Sequence, residues 1–238
     1  MILADAFRPS TFPDAFRFIG DHPGLLWTKT AEHIELSAAS MGVALAIAIP
    51  LGIWLGHLHR GSFLAVNVSN IGRALPSLAV VAIGLAFFGL GFTNVMVALV
   101  VLAVPPMLTN AYVAVDRVDP DAVEAARGMG MRPWQVLLRI ELPLALPLVF
   151  AGVRTAAVYV VSTATLAAFA GGGGLGDIIA NQASYRLEGV VGAALCVSAL
   201  ALAADLVFGA LQLAVTPRGL RRRSRAIEPD VVTGFAAQ

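Results

Sequence analysis

Glu124-Ala125-Ala126-Arg127-Gly128-Met129-Gly130, followed after nine intervening residues by Ile140-Glu141-Leu142-Pro143, is a polar, charge-bearing segment between long apolar runs. Asp119-Pro120-Asp121 precedes it and reads as a helix start. The Asp119 carboxylate can accept from the orphan N–H groups of a first turn. Pro120 suits the first helical position, and acidic residues favour the positive end of the helix dipole. The paired alanines favour helix and leave a flat surface for close approach. Gly128 and Gly130 let the chain leave the helix with positive φ. Pro133 then opens a second short helix, Trp134 to Ile140, which Leu142-Pro143 ends. A plain connecting loop needs none of this punctuation. The pattern predicts a rigid helix–turn–helix lying along a membrane face and presented to a soluble partner.

The flanking sequence supplies the membrane. The chain has 238 residues, of which 58% are hydrophobic and 13% charged, with mean hydropathy +0.81. Soluble domains carry about 25% charged residues, so the chain reads as one integral membrane domain. A net charge of +1 gives no reason to expect nucleic acid. Cys196 is the one cysteine, so no disulfide framework exists within the chain; it reads as a small core residue. The first residues lack the apolar stretch of a signal peptide.

A membrane-crossing helix needs about 20 mostly apolar residues. Residues 1–30 are mixed and dotted with aromatics, which predicts an interfacial, extracytoplasmic segment. Spans are expected at about 34–56, with a kink at Pro50, and then in the apolar region from Phe63 to Leu90. That region reads as a lead-in helix, a bend near Pro76 and a span to Leu90. Gly89-Leu90-Gly91 makes a tight connection to a third span at about 92–115, whose ladder Pro105-Pro106 disrupts. After the polar loop, 116–143, come spans at about 144–169 and 189–214, separated by a flexible break at Gly171–Gly174 and a short amphipathic stretch, 177–188. The expected organisation is a five-span all-α transmembrane domain, 31–215, and a basic tail, 216–238. Arg60, Arg117, Arg127, Arg132, Arg139 and the five arginines after residue 215 fall on one face; Arg8, Arg17, Lys29 and Arg186 fall on the other. The first face is therefore cytoplasmic, with the N-terminus outside and the C-terminus inside. Arg221-Arg222-Arg223 reads as an anchor on anionic lipid.

The spacing Glu-Ala-Ala, three residues, Gly, nine residues, Ile-x-Leu-Pro resembles the cytoplasmic loop of binding-protein-dependent ABC importer permeases. The resemblance runs from about 30 to 215 and is best from Arg73 to Asn181. It implies an all-α integral membrane fold of five transmembrane helices with a cytoplasmic coupling helix, as in MetI-like type I importer permeases. It also implies docking of that helix in a groove of an ATP-binding subunit through Glu124, Ala125, Ala126, Gly128 and Gly130. ATP and Mg would then sit on the partner, with no cofactor on this chain. The implied partners are two ATPase subunits, a second permease (identical or paralogous) and an extracytoplasmic solute-binding protein. Arg73-Ala74-Leu75-Pro76-Ser77-Leu78-Ala79, Ala151-Gly152-Val153-Arg154-Thr155-Ala156, Thr163 to Phe169 and Gly173-Gly174-Leu175-Gly176-Asp177 are similar to osmoprotectant permeases, which import glycine betaine, choline, carnitine or proline betaine. Methionine-type and taurine/nitrate-type permeases share the Glu-Ala-Ala core, so a permease for methionine or another small solute stays open. So does a secondary transporter or channel, although neither an inverted repeat nor a set of intramembrane acids points there.

Arg73, Arg154 and Asp205 fall at or inside apolar segments, where a charge is costly unless paired or hydrated. Arg73, just before Pro76, reads either as a gate or as a side chain snorkelling to the interface. Arg154 lies roughly 16 Å into its span at about 1.5 Å per residue, too deep to snorkel; its readings are an ion pair with Asp205 or a substrate contact. Quaternary ammonium groups are held by aromatic faces. Candidates along the substrate pathway are Tyr112, Tyr159 and Phe169 together with Arg73, Pro76 and Arg154; Phe87, Phe88 and Phe92 read rather as interfacial anchors. No G-x-x-x-x-G-K-[ST] phosphate loop occurs, so the chain is not itself the ATPase. His57 and His59 are two apart, wrong for one helical face, and no Cys/His cluster has metal-ligand spacing.

Overall fold

A computed structural model describes residues 11–61, 63, 67, 70–72 and 74–216. Regular structure among the described residues is entirely helical. The elements are α1 (Thr11–Asp21), α2 (Pro23–His57), α3 (Ser77–Phe88), α4 (Phe92–Asp116), α5 (Pro120–Gly128), α6 (Pro133–Val136), α7 (Leu142–Thr163), α8 (Gly176–Ala180) and α9 (Gln182–Val215). A π-helical turn, Leu137–Glu141, joins α6 to α7, and a 3₁₀ turn, Ala164–Ala170, follows α7.

Four helical stretches among the described residues are long and apolar enough to cross a membrane: Pro23–His57, Phe92–Asp116, Pro133–Ala170 and Gln182–Val215. The fifth expected span, Phe63 to Leu90, lies partly outside the described residues. Its described helix, α3, has 12 residues, or about 18 Å, which alone is shorter than a hydrocarbon core of about 30 Å. The bend that begins it is where the sequence placed it: Pro76 is extended (φ −64°, ψ 121°) and caps α3. Gly89 (φ 69°) and Gly91 (φ 125°) make the tight connection to α4.

The core is built on glycine and alanine. Along α2, Gly52 and Gly56 lie against α4 so closely that a Cβ at Gly56 would stand 2.7 Å from the Tyr112 carbonyl oxygen and 2.9 Å from Val115 Cβ. This is the small-xxx-small contact that lets membrane helices pack backbone to backbone. Leu36, Ala44 and Ala48 of α2, Leu99, Ala103 and Met107 of α4, and Ala156 and Val160 of α7 fill the centre. Outside it, the amphipathic α1 buries Ala15 and Phe18. Gly192 of α9 faces the Ala15 carbonyl and Gly189 faces the Phe18 ring.

Several sequence boundaries shift. The segment expected to end at residue 30 runs into α2, because that helix starts at Pro23 and carries Lys29 and Glu32 beyond the apolar run. The span expected at about 92–115 keeps its bounds, since α4 continues through Pro105 and Pro106 to Asp116; membrane helices tolerate such prolines where the freed backbone groups find other partners. Leu142-Pro143 does not end the loop's second helix either. The π turn opens the ladder ahead of Pro143, with the Leu142 N–H reaching back to the Leu137 carbonyl, and the helix runs straight on into α7. The wider turn makes room for a ring that would otherwise press on the preceding turn. The glycine break is present, with positive φ at Gly171, Gly173 and Gly174. The amphipathic stretch after it is interrupted at Arg186 (φ 54°, ψ −176°), from which α9 proceeds as a span.

Candidate functional site

The polar loop folds as its local chemistry dictates. Asp119 Oδ1 accepts from the Asp121 N–H at 3.0 Å and Pro120 opens α5. At the other end the Gly130 N–H donates to the Arg127 carbonyl (2.9 Å) and the Met131 N–H to the Ala126 carbonyl (3.2 Å). With Gly130 at φ 80°, this is a Schellman closure. Gly128 still belongs to the helix, so only one of the two glycines expected to carry positive φ does so.

The helix has two faces. Val123 and Ala126 are buried, packed in a cluster with Val118, Val136, Ala145 and Val149. Glu124, Ala125, Gly128 and Gly130 are exposed, with Met129, Arg132 and Trp134 beside them. Glu124 has no hydrogen-bond or salt-bridge partner among the described residues. Ala126, expected to face outward with Ala125, is 1% exposed and props the helix on its own domain. The signal was in the sequence: Val123 lies three residues before Ala126, on the same helical face. The exposed surface thus joins an unpaired acid, a small-residue patch and the apolar Met129 and Trp134.

Two residues that sequence reading set aside bind this loop to α2. His57 Nδ1 and Glu141 Oε2 are 2.6 Å apart, and His59 Nδ1 and Asp116 Oδ1 are 3.0 Å apart. Each pair needs its proton on the histidine Nδ1, donating to the carboxylate. The available signal was placement: a histidine ending one apolar run and a glutamate opening another sit at the same membrane boundary.

Among the described residues, those proposed for a pathway lie on α4, on α7 with its 3₁₀ turn and at the bend before α3. Arg73 lies outside the described residues, as does the basic tail from 217. Pro76 is exposed at the α3 bend. Tyr112 is 4% exposed, its backbone against Gly52 and Gly56, which removes it from any open surface. Arg154, Tyr159 and Phe169 follow one another along a single helical stretch, and at about 1.5 Å per residue the first and last are more than ~20 Å apart. Arg154 donates through Nε to Asp205 Oδ1 (2.5 Å) and through a terminal nitrogen to Asp205 Oδ2 (2.6 Å). This bidentate pair joins α7 to α9, as one of the two readings of Arg154 required. Arg154→Leu is expected to reduce the yield of folded protein by stranding Asp205 at bilayer depth, and Arg154→Leu with Asp205→Leu to restore it; size-exclusion profiles of purified protein check this. At the end of the bundle away from the loop, Lys29, Glu32, Glu35, Phe92, Gly171–Gly173 and Asp177 line a cleft of about 320 Å³. Lys29 Nζ bridges Glu32 (2.9 Å) and Asp177 (2.8 Å) there, and the Gly174 N–H donates to Glu32 (2.8 Å).

Residues 48–218 match the family described as the binding-protein-dependent transport system inner membrane component. The chain belongs to this family. It is 37% identical over 205 residues (86% of this chain, 94% of the relative) to the glycine betaine/carnitine/choline transport system permease protein OpuCB of Bacillus subtilis (strain 168). It is also 37% identical over 207 residues (87% and 95%) to the choline transport system permease protein OpuBB of the same organism. Among solved structures, a chain of the inward-facing MetNI methionine ABC transporter superposes with a TM-score of 0.73 at 21% identity, covering 82% of this chain and 99% of that one. This likeness concerns the fold. The inner-membrane component described here is thus an all-α, multi-pass transport subunit of the MetI-like fold. Within it, the loop between α4 and α7 carries the exposed face of α5.

Proposed function

We propose that this chain is the permease subunit of an ABC importer for quaternary-ammonium osmoprotectants such as glycine betaine, choline, carnitine or proline betaine. The observation that carries the substrate class is the 37% identity, over 94% of its length, to a relative named for glycine betaine, carnitine and choline. Two ATP-binding subunits hydrolyse ATP-Mg on the cytoplasmic side, where α5 offers Glu124, Ala125, Gly128 and Gly130. A second permease, identical or paralogous, completes the pathway, and an external solute-binding protein delivers the solute. The N-terminus lies outside and the C-terminus inside, by the distribution of basic residues. ATP-driven closure of the two ATPases pushes the paired loops, and the permeases rock between inward- and outward-facing states as rigid bodies.

The test is uptake of labelled glycine betaine by cells lacking their own osmolyte importers and expressing this chain with its binding protein, ATPase and any paralogous permease. Energy-dependent uptake, competed by excess choline or carnitine, is expected. Absence of uptake from an assembled complex, with transport of methionine or another amino acid instead, overturns the substrate class.

A further inference from the structure

The turn after α2 is held to both ends of the coupling segment by two histidine–carboxylate pairs. His57, the last residue of α2, meets Glu141 at the loop's far end, and His59 meets Asp116 at its near end. Three features set these contacts apart from surface ion pairs. Glu141 is 1% exposed, and its Oε1 is buried without a hydrogen-bond partner among the described residues. A lone buried carboxylate is a poor choice for packing. Glu141 also closes the π turn, Leu137–Glu141. Regular α-helix would rotate residues beyond the turn by about 100° relative to those before it; the extra residue sets the direction in which Glu141 meets His57. Finally, His59 occupies a positive φ of 50°. The closure around it runs from the His59 N–H to the Gly56 carbonyl (3.0 Å) and from the Arg60 N–H to the Leu55 carbonyl (3.2 Å). Glycine is the usual residue at that position. Here a side chain is kept in a strained backbone, and that side chain reaches Asp116. From the same turn α2 runs back through Gly56 and Gly52, which are locked against α4.

We infer that His57 and Glu141, supported by His59 and Asp116, are positioning residues of coupling: they fasten the two ends of the segment that carries α5, Asp116 at the end of α4 and Glu141 ahead of α7, to the end of α2, so that a push on the segment moves the α2–α4 pair with it. This rests on the reading of α5 as the ATPase contact. None of the four residues touches solute or nucleotide in this account; they act by holding two elements as one body. Without them, α5 is held to the spans by its apolar packing alone, and a push on it reaches α2 only in part.

The discriminating variant is His57→Leu with Glu141→Leu in the full transporter, reconstituted in liposomes with its ATPase, partner permease and binding protein. Removing both partners leaves no stranded charge, so the protein folds. The expected result is ATPase activity near the wild-type level with about a tenfold fall in solute moved per ATP hydrolysed. His57→Asn, which keeps a donor near the Nδ1 position, restores most of the ratio. A second readout needs no solute. Spin labels at Arg60→Cys and Asp121→Cys, in a Cys196→Ser background, keep one distance with and without ATP in the otherwise wild-type protein. They change distance on ATP addition in the double variant. An unchanged transport-to-hydrolysis ratio, a proportional loss of both activities, or an ATP-independent label distance in the double variant overturns the inference. Failure of the osmoprotectant reading shows itself separately, as absence of glycine betaine uptake in the wild-type complex while the label distances behave as described.

Discussion

Glu124→Lys is expected to abolish solute uptake while leaving membrane insertion and the fold intact. Glu124 is exposed on α5 and has no partner among the described residues, so reversing its charge breaks no contact among them. Its cost falls on whatever the exposed face meets. Losing one partner of a desolvated charge pair costs about 2–5 kcal/mol, and placing a like charge there costs more, so a fall of roughly a hundredfold in ATP-coupled uptake is expected. Ala125→Lys, one residue along the same exposed face, should act in the same direction by bulk. Uptake assays with quantified complex in the membrane separate this from poor expression. Near-normal uptake by an assembled Glu124→Lys complex would contradict the assignment of α5.

The second large effect concerns the core. Gly56→Leu is expected to prevent folding. A first side-chain carbon at that position already stands 2.7 Å from the Tyr112 carbonyl oxygen, which is backbone and does not swing away. Overpacking a well-packed core costs about 1–3 kcal/mol, and a leucine pressed on backbone belongs at or above the top of that range. Gly52 is similarly confined, its Cβ position 2.7 Å from Ala111 Cβ and 2.8 Å from the Leu108 carbonyl oxygen. Gly42, on the same helix, has nothing within 4 Å. Gly42→Ala should leave the yield of monodisperse protein in detergent unchanged, whereas Gly56→Leu removes it. Equal yields would mean that α2 and α4 are not packed through this seam.

Much of the loop was legible because its determinants are local. Asp119 caps because a short acid precedes Pro120, and Gly130 turns because only a residue without Cβ takes φ 80° without strain. Pro76 and the glycines after residue 170 mark bends for the same reason. What stayed hidden was non-local or depended on which way a helix rotates. The His57–Glu141 contact joins residues 84 apart, and no short-range pattern announces it. The π turn ahead of Pro143 converts an apparent helix end into a continuous helix, and proline alone does not reveal that. Ala126 and Ala125 are chemically identical; only the apolar partner at Val123 distinguishes the inward alanine from the outward one. Tyr112 looked suited to a pathway by its chemistry. It is buried because Gly52 and Gly56 bring α2 down on top of it.

The most direct test of the central claim, that the exposed face of α5 is where this permease receives the work of ATP hydrolysis, is site-specific crosslinking in assembled membranes. Single cysteines at Ala125 and at Ala126, each in a Cys196→Ser background, would be probed with a short thiol-reactive crosslinker against the ATP-binding subunit. A nucleotide-sensitive crosslink is expected from Ala125→Cys and none from Ala126→Cys, which the packing with Val123 and Val136 hides. Equal labelling of both positions, or no crosslink from Ala125→Cys in a complex that hydrolyses ATP, would contradict that claim.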